Sequence, residues 1–234
     1  MKNLSGIFLF VLISAYLEAQ DSTRFVVKAG QTIQEVLKPE VLYRYPQFVY
    51  GKVYILNGQI AEAKLNYNRI IEEIQFIDLR GDTLSLADES TIRLITMNQD
   101  SFYFDDGYLE LIQDYSVVKM AIRERIRLSD KQKIGAYGQT NTTTSIETTG
   151  GFLDSYKRYN VVSNENLVLQ WEKQYYLSAK RGHFFIANKK NVLKEFGDHR
   201  KALQDFLDKN NLNFKKEEDI RKLCEFIVSQ QDQN

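Results

Sequence analysis

The chain has 234 residues, 43% of them hydrophobic and 12% aromatic, enough apolar material for a substantial core and too much for a disordered chain. Lys plus Arg and Asp plus Glu are both 31, so no net charge draws the molecule toward nucleic acid, and no nucleic-acid partner is expected. A single cysteine, Cys224, excludes an intrachain disulfide and a thiolate metal cluster.

Residues 1–20 combine Lys2, an apolar run from Ile7 to Ala15, and the exit Leu17-Glu18-Ala19-Gln20. A basic start, a short apolar centre and small residues before a polar stretch predict a secretory signal peptide, with the mature chain starting near Asp21. The run is shorter than the ~20 residues of a spanning helix. No cysteine directly follows it, so a lipoprotein anchor is not expected, and no second long apolar stretch predicts a mature chain that crosses the membrane.

From Phe48 to Leu128 the pattern is strands separated by turns. Asn57-Gly58, Gly81-Asp82 and Asp106-Gly107 predict tight hairpin turns, with softer breaks near Glu72-Glu73, Asp88-Glu89 and Asn98-Gln99-Asp100. Arg80-Gly81-Asp82 spells an adhesion tripeptide, but Ile77 and Leu79 precede it and Leu84 and Leu86 follow it, which predicts a hairpin loop instead. Ala61, Ala63, Leu65 and Tyr67 alternate with Glu62, Lys64, Asn66 and Asn68. Val118, Met120, Ile122, Ile126 and Leu128 share one face, and Lys119, Arg123, Arg125 and Arg127 the other. Counting breaks gives about eight strands, compatible with a barrel, a curled sheet or a sandwich.

Residues 129–165, including "GQTNTTTSIETTGG", are polar and predict a long loop. Residues 166–188 predict a further β-hairpin with its turn near Lys180-Arg181-Gly182. Residues 189–234 predict a helical pair packed on the sheet, one helix capped by Asp198 and carrying Ala202, Leu203, Phe206 and Leu207, the other starting near Lys216 and carrying Ile220, Leu223, Phe226 and Ile227. Cys224 falls on that last stripe and predicts a buried apolar residue. The expected fold class is α+β: an antiparallel β meander followed by C-terminal helices.

Residues of catalytic type are few. The histidines are His183 and His199, with neither a Gly-x-Ser-x-Gly elbow nor a His-Glu-x-x-His pair beside them. Asp105-Asp106 suits a turn and Glu217-Glu218-Asp219 suits a helix start. The acidic stretch around Gly107 departs from calcium-loop spacing, because Phe102 and Phe104 occupy ligand positions, and no metal or cofactor is expected. Two features point to binding. The row Lys119, Arg123, Arg125, Arg127 could meet an anionic lipid headgroup or acidic glycan, or form a solvated face paired with acids such as Glu110. Tyr137, Tyr156, Tyr159, Trp171, Tyr175 and Tyr176 could offer rings to a sugar, with Tyr137 and Trp171 the leading pair, or fill the sheet.

The segments "YPQFVYGKVYILNGQIAEAKLNYN", "KIGAYGQTNTTTSI" and "NKKNVLKEFGDHRKALQDFLDKNNLNFKKEEDIRKLCEFI" resemble a family of exported proteins common in Bacteroidota, to which no activity is assigned. The resemblance spans nearly the whole mature chain and implies a cell-envelope location and a β-then-α layout, with no catalytic residue to carry over. The sequence thus predicts an exported periplasmic or extracellular protein with a non-catalytic binding or assembly role, its partner an envelope protein, a glycan or an anionic headgroup; the alternatives are a dedicated glycan or headgroup module and a hydrolase around His183. Deleting Gly81 should cost more than about 1 kcal/mol in urea denaturation, whereas Asp82→Glu should stay within about 0.5 kcal/mol.

Overall fold

The computed structural model describes residues 24–134, 140–142, 164–179 and 182–231. The polar segment around Tyr137, Tyr156 and Tyr159 falls outside them, as do residues 1–20. In chain order the elements are β1 (Arg24–Val27), α1 (Ile33–Val36), α2 (Pro39–Leu42), β2 (Val49–Ile55), β3 (Ile60–Asn68), β4 (Glu73–Ile77), β5 (Thr83–Ser85), β6 (Ile92–Met97), β7 (Asp100–Phe104), β8 (Tyr108–Asp114), β9 (Lys119–Ile134), β10 (Thr140–Thr142), β11 (Asn166–Ser178), β12 (Phe184–Ile186), α3 (Lys189–Glu195), α4 (Arg200–Asn210) and α5 (Glu217–Gln231). No helix among the described residues is long and apolar enough to cross a membrane.

All twelve strands form one antiparallel sheet, ordered β1-β11-β9-β8-β7-β6-β2-β3-β4-β5, with β10 on β9 and β12 on β11. The α+β meander is therefore present, with departures from sequential order: β1 lies on β11 at one edge, β11 pairs with β9, and β6 pairs with β2. β5 does not pair with β6; the chain returns through a 3-10 turn at Glu89–Thr91 and lays β6 on the free side of β2, with Val53 opposite Ile95. β9 runs to Ile134, past the expected loop boundary. Its polar end is held by pairing, with Asp130 opposite Val168 and Gln132 opposite Asn166.

The turns at Gly58 and Gly81 obey glycine chemistry but are not two-residue loops. Gly58 and Gly81 have φ of +89° and +92°, while Asn57 and Asp82 stay out of that region. At the adhesion-like tripeptide the Asp78 amide donates to the Asp82 carbonyl at 2.9 Å and the Gly81 amide to Asp78 at 3.1 Å. The loop is thus Leu79-Arg80-Gly81, three residues ending in a left-handed glycine. It is the tip of the β4–β5 hairpin.

One face of the sheet carries nearly all of the core, in three apolar clusters. The meander contributes Val53, Leu65, Ile74, Ile95, Met97 and Phe102. Val118 just ahead of β9, Met120 and Ile122 of β9, and Tyr175 and Leu177 of β11 bury α3, α4 and α5 through Val192, Leu203, Leu207, Ile220, Leu223 and Ile227. The same face of β9 and β11, further along, buries the N-terminal helices through Ile126, Leu167 and Leu169 against Ile33, Leu37 and Leu42. The C-terminal layer thus has three α-helices where a pair was expected. Asp198 lies in a 3-10 turn, and His199 occupies the N-cap of α4 without a side-chain bond. Cys224 is buried in that layer, and burial pushes its thiol up to about 12, which leaves it an inert packing group.

Gly51 sits mid-strand in β2, between β3 and β6. A Cβ there would lie 2.5 Å from the Thr96 carbonyl oxygen and 2.8 Å from a Leu65 methyl. Gly51→Ala should destabilise the chain by about 1–3 kcal/mol through overpacking. Gly197→Ala, where nothing lies within 4 Å, should be neutral within about 0.5 kcal/mol in the same denaturation assay.

Candidate functional site

Strand alternation dictates an unbroken apolar row on the core face, yet four charged residues interrupt it. Asp100 of β7 shares that face with Phe102, and Phe102 stands opposite Glu110 of β8. Glu110 stands opposite Ile122 of β9, and two residues on Glu124 stands opposite Lys173 of β11. The four meet where the three apolar clusters end. Arg44 and Arg69 join them, carried in by chain crossing from the other side.

That crossing is built by backbone and asparagine bonds. The Arg44 amide donates to Tyr67 O at 2.9 Å and the Arg69 amide to Leu42 O at 2.9 Å, which lays residues 42–44 along the end of β3. Asn66, fully buried, accepts the Tyr45 amide at 3.1 Å and donates to the Tyr45 carbonyl at 2.9 Å. Asn68 accepts the Ile70 amide at 3.0 Å, shaping the β3–β4 turn. Both asparagines lie on the polar face of β3, where they are buried and satisfied by the chain they hold.

The β3–β4 turn then reaches β9. The Ile126 amide donates to Arg69 O at 2.8 Å. On the core face Arg69, only 4% exposed, sets its Nε 3.0 Å from Glu124, places its guanidinium 4.4 Å from the centre of the Trp171 ring, and gives Nη1 to the carbonyls of Glu40, Val41 and Tyr43 at the end of α2. Those carbonyls are the ones a helix end leaves unmet. Burial lowers the Arg69 pKa, and Glu124 opposes that shift without cancelling it. On the other face, Glu72 of the same turn meets Arg127 at 3.4 Å.

Arg44 forms a two-pronged bond to Glu110, at 2.7 and 2.8 Å, and approaches Asp100 at 3.4 Å. The Glu110 bond raises its pKa. Tyr45 donates to Asp100 at 2.6 Å; burial first, and that bond second, raise its phenol above the usual range. Lys173 Nζ lies 3.7 Å from Glu124, near enough to attract but too far to hydrogen bond. The result is a half-open cleft of about 460 Å³, bounded by the N-terminal crossing, the β7–β8 wall and Glu217 of α5, with Glu124 and Lys173 on its floor. Trp171 lines it, and its indole N–H is buried without an acceptor among the described residues.

The residues singled out by sequence behave differently. Lys119 pairs with Asp114 at 2.6 Å. Arg123, 8% exposed, donates to the Asp105 and Asp106 carbonyls at 3.2 and 2.8 Å and lies over the Tyr176 ring. Gly107 faces that guanidinium, where a Cβ would sit 2.9 Å from it. Arg125 pairs with Glu172 at 3.0 Å, and Arg127 with Glu72. The row therefore lies partly beneath the surface as ties between strands, and Glu110 serves Arg44, not the row. Trp171 presents a face to Arg69, so its ring is not a bare sugar platform; Tyr175 and Tyr176 are buried. Tyr137 is outside the described residues. His183 is 91% exposed, with Nδ1 3.9 Å from Asp105. Among the described residues no group of His, Cys, Asp and Glu is arranged to hold a metal.

Comparison of the chain with known protein families, curated proteins and solved structures returns no match.

Arg69 and Arg125 are both ion-paired arginines, but their settings differ. Arg69→Met should cost about 3–5 kcal/mol, because it strands Glu124 and three carbonyls. Arg125→Met, from a pair whose acid is 40% exposed, should cost less than about 1 kcal/mol. Urea denaturation of the two variants checks the contrast.

Proposed function

We propose that this chain is an exported cell-envelope protein that acts by binding, without catalysis, and that the mixed-charge cleft on the core face is where it binds. The observation that carries the reading is the placement of Asp100, Glu110, Glu124 and Lys173 on a face that alternation reserves for apolar side chains. Burying charge is costly, and a well-packed apolar substitute is often as stable or more so. Four such residues around an open cleft, not in a filled core, favour a use other than stability.

The basic-apolar-small pattern of residues 1–20 and the resemblance to exported Bacteroidota proteins support the envelope location. Glycan or headgroup recognition through the arginine row has less support, since its guanidiniums are engaged by carboxylates and carbonyls. A hydrolase at His183 has less again, since the imidazole stands in solvent out of bonding reach of Asp105.

Two measurements test the proposal together. Cell fractionation should place the protein in the envelope or medium. Equilibrium dialysis of the purified chain against small molecules extracted from the envelope, read by mass spectrometry, should show compounds retained by the native chain and not by Lys173→Glu. A cytoplasmic location, or equal retention by both chains, contradicts it.

A further inference from the structure

Resting on the cleft as the binding site, we infer that its ligand is a small zwitterion, a molecule carrying one carboxylate and one ammonium group, such as a free amino acid or a dipeptide. The cleft has a definite charge pattern. Arg44, Arg69 and Lys173 face Asp100, Glu110, Glu124 and Glu217, and Glu217 is answered from outside the cleft by Arg221 at 2.7 Å. The site is thus close to neutral, with both signs interleaved. A ligand of net charge would leave one charge uncompensated in a partly buried place, which is expensive. A neutral sugar would have to displace charge-assisted bonds with weaker ones.

Unused bonding capacity has the same two-signed character. Arg69 and Glu110 are committed: Arg69 to Glu124 and the α2 carbonyls, and both Glu110 oxygens to Arg44. Lys173 is not, since its ammonium is 3.7 Å from Glu124 and its side chain 42% exposed. Among the described residues Arg44 Nη1 also makes no hydrogen bond. On the acceptor side, among the described residues Asp100 bonds only through Oδ2, to Tyr45 and Arg44, and Glu124 Oε1 has only Lys173, at ion-pair distance. Spare donors on Lys173 and Arg44 suit a carboxylate; spare acceptors on Asp100 and Glu124 suit an ammonium. The volume, about 460 Å³, lies in the range of small-ligand sites. Ile122, Ile112 and Trp171 supply apolar wall for a side chain.

The test is calorimetric titration of the native chain with alanine and dialanine, beside analogues that lose one charge each: the N-acetylated forms, without the ammonium, and the C-terminal amides, without the carboxylate. The expected result is binding of at least one zwitterion, weakened about tenfold or more by either modification and by Lys173→Met, since each removes a bond to a charged group. Dialanine above alanine would assign a peptide, and the reverse an amino acid. The inference is overturned if the singly charged analogues bind as well as the zwitterions. It is overturned separately if only a sugar or an anion binds in a Lys173-dependent way, which would leave the cleft a binding site for another class. If no compound, including those of the envelope extract, depends on Lys173, the ligand class and the cleft reading fail together.

Discussion

A single turn, residues 69–72 between β3 and β4, clasps the long strand β9 from both faces. Arg69 holds Glu124 on the core face, Glu72 holds Arg127 on the other, and the Arg69 carbonyl takes the Ile126 amide at the strand's edge. β8 pairs with β9 only as far as Ile122, so without the turn this stretch of β9 would present unladdered backbone. The clasp rolls the sheet without closing its ladder, which still ends at β1 and β5. It also sets the distance between the N-terminal helices and the β9–β11 ribbon, because the same guanidinium caps the end of α2.

The cleft is a consequence of that roll. The apolar clusters beneath α1 and α2, beneath α3 to α5, and inside the meander share one face but do not merge. Charged side chains occupy the place where they would meet. Apolar residues there would let the helical layers close over the floor; Glu124, Lys173, Glu110 and Asp100 instead require partners, and the Arg44 and Arg69 crossing supplies most of them. Structure and binding capacity therefore draw on the same groups: committed members hold the roll, and the uncommitted atoms of Lys173, Arg44 and Asp100 remain for a ligand.

Much of the architecture is written locally. Gly58, Gly81 and Gly107 mark hairpins because each has positive φ, and the stripe of Ile220, Leu223 and Ile227 buries as its helical spacing demands. The pairing of β2 with β6 is not local: nothing in either strand names its neighbour across the intervening β3 to β5. The partners of the arginine row were hidden for the same reason. Its regularity suggested a face paired with acids on neighbouring strands, or a ligand-facing stripe, and Lys119 and Arg125 do pair with Asp114 and Glu172 of the adjacent strands; Glu72 and Glu172 are distant in sequence and could not be named from it. Glu124 was the available clue. In "VKMAIRERIRL" it stands at an even position between Ile122 and Ile126, a carboxylate in an apolar row, and an isolated charge on the buried face of a strand marks either a structural tie or a site. Here it is both. Arg69, in the unremarkable "YNRIIEE", gave no local sign, because its role arises from three contacts made by different parts of the chain.

Amide hydrogen exchange at Ile126 tests the clasp most directly. Its N–H points away from β11 toward an edge on which Arg69 O is its acceptor. If the turn holds β9 as described, this amide should exchange as slowly as those of the β9–β11 ladder, near the limit set by global unfolding. Exchange at the fast rate of an exposed edge strand would contradict the clasp, and with it the roll that forms the cleft.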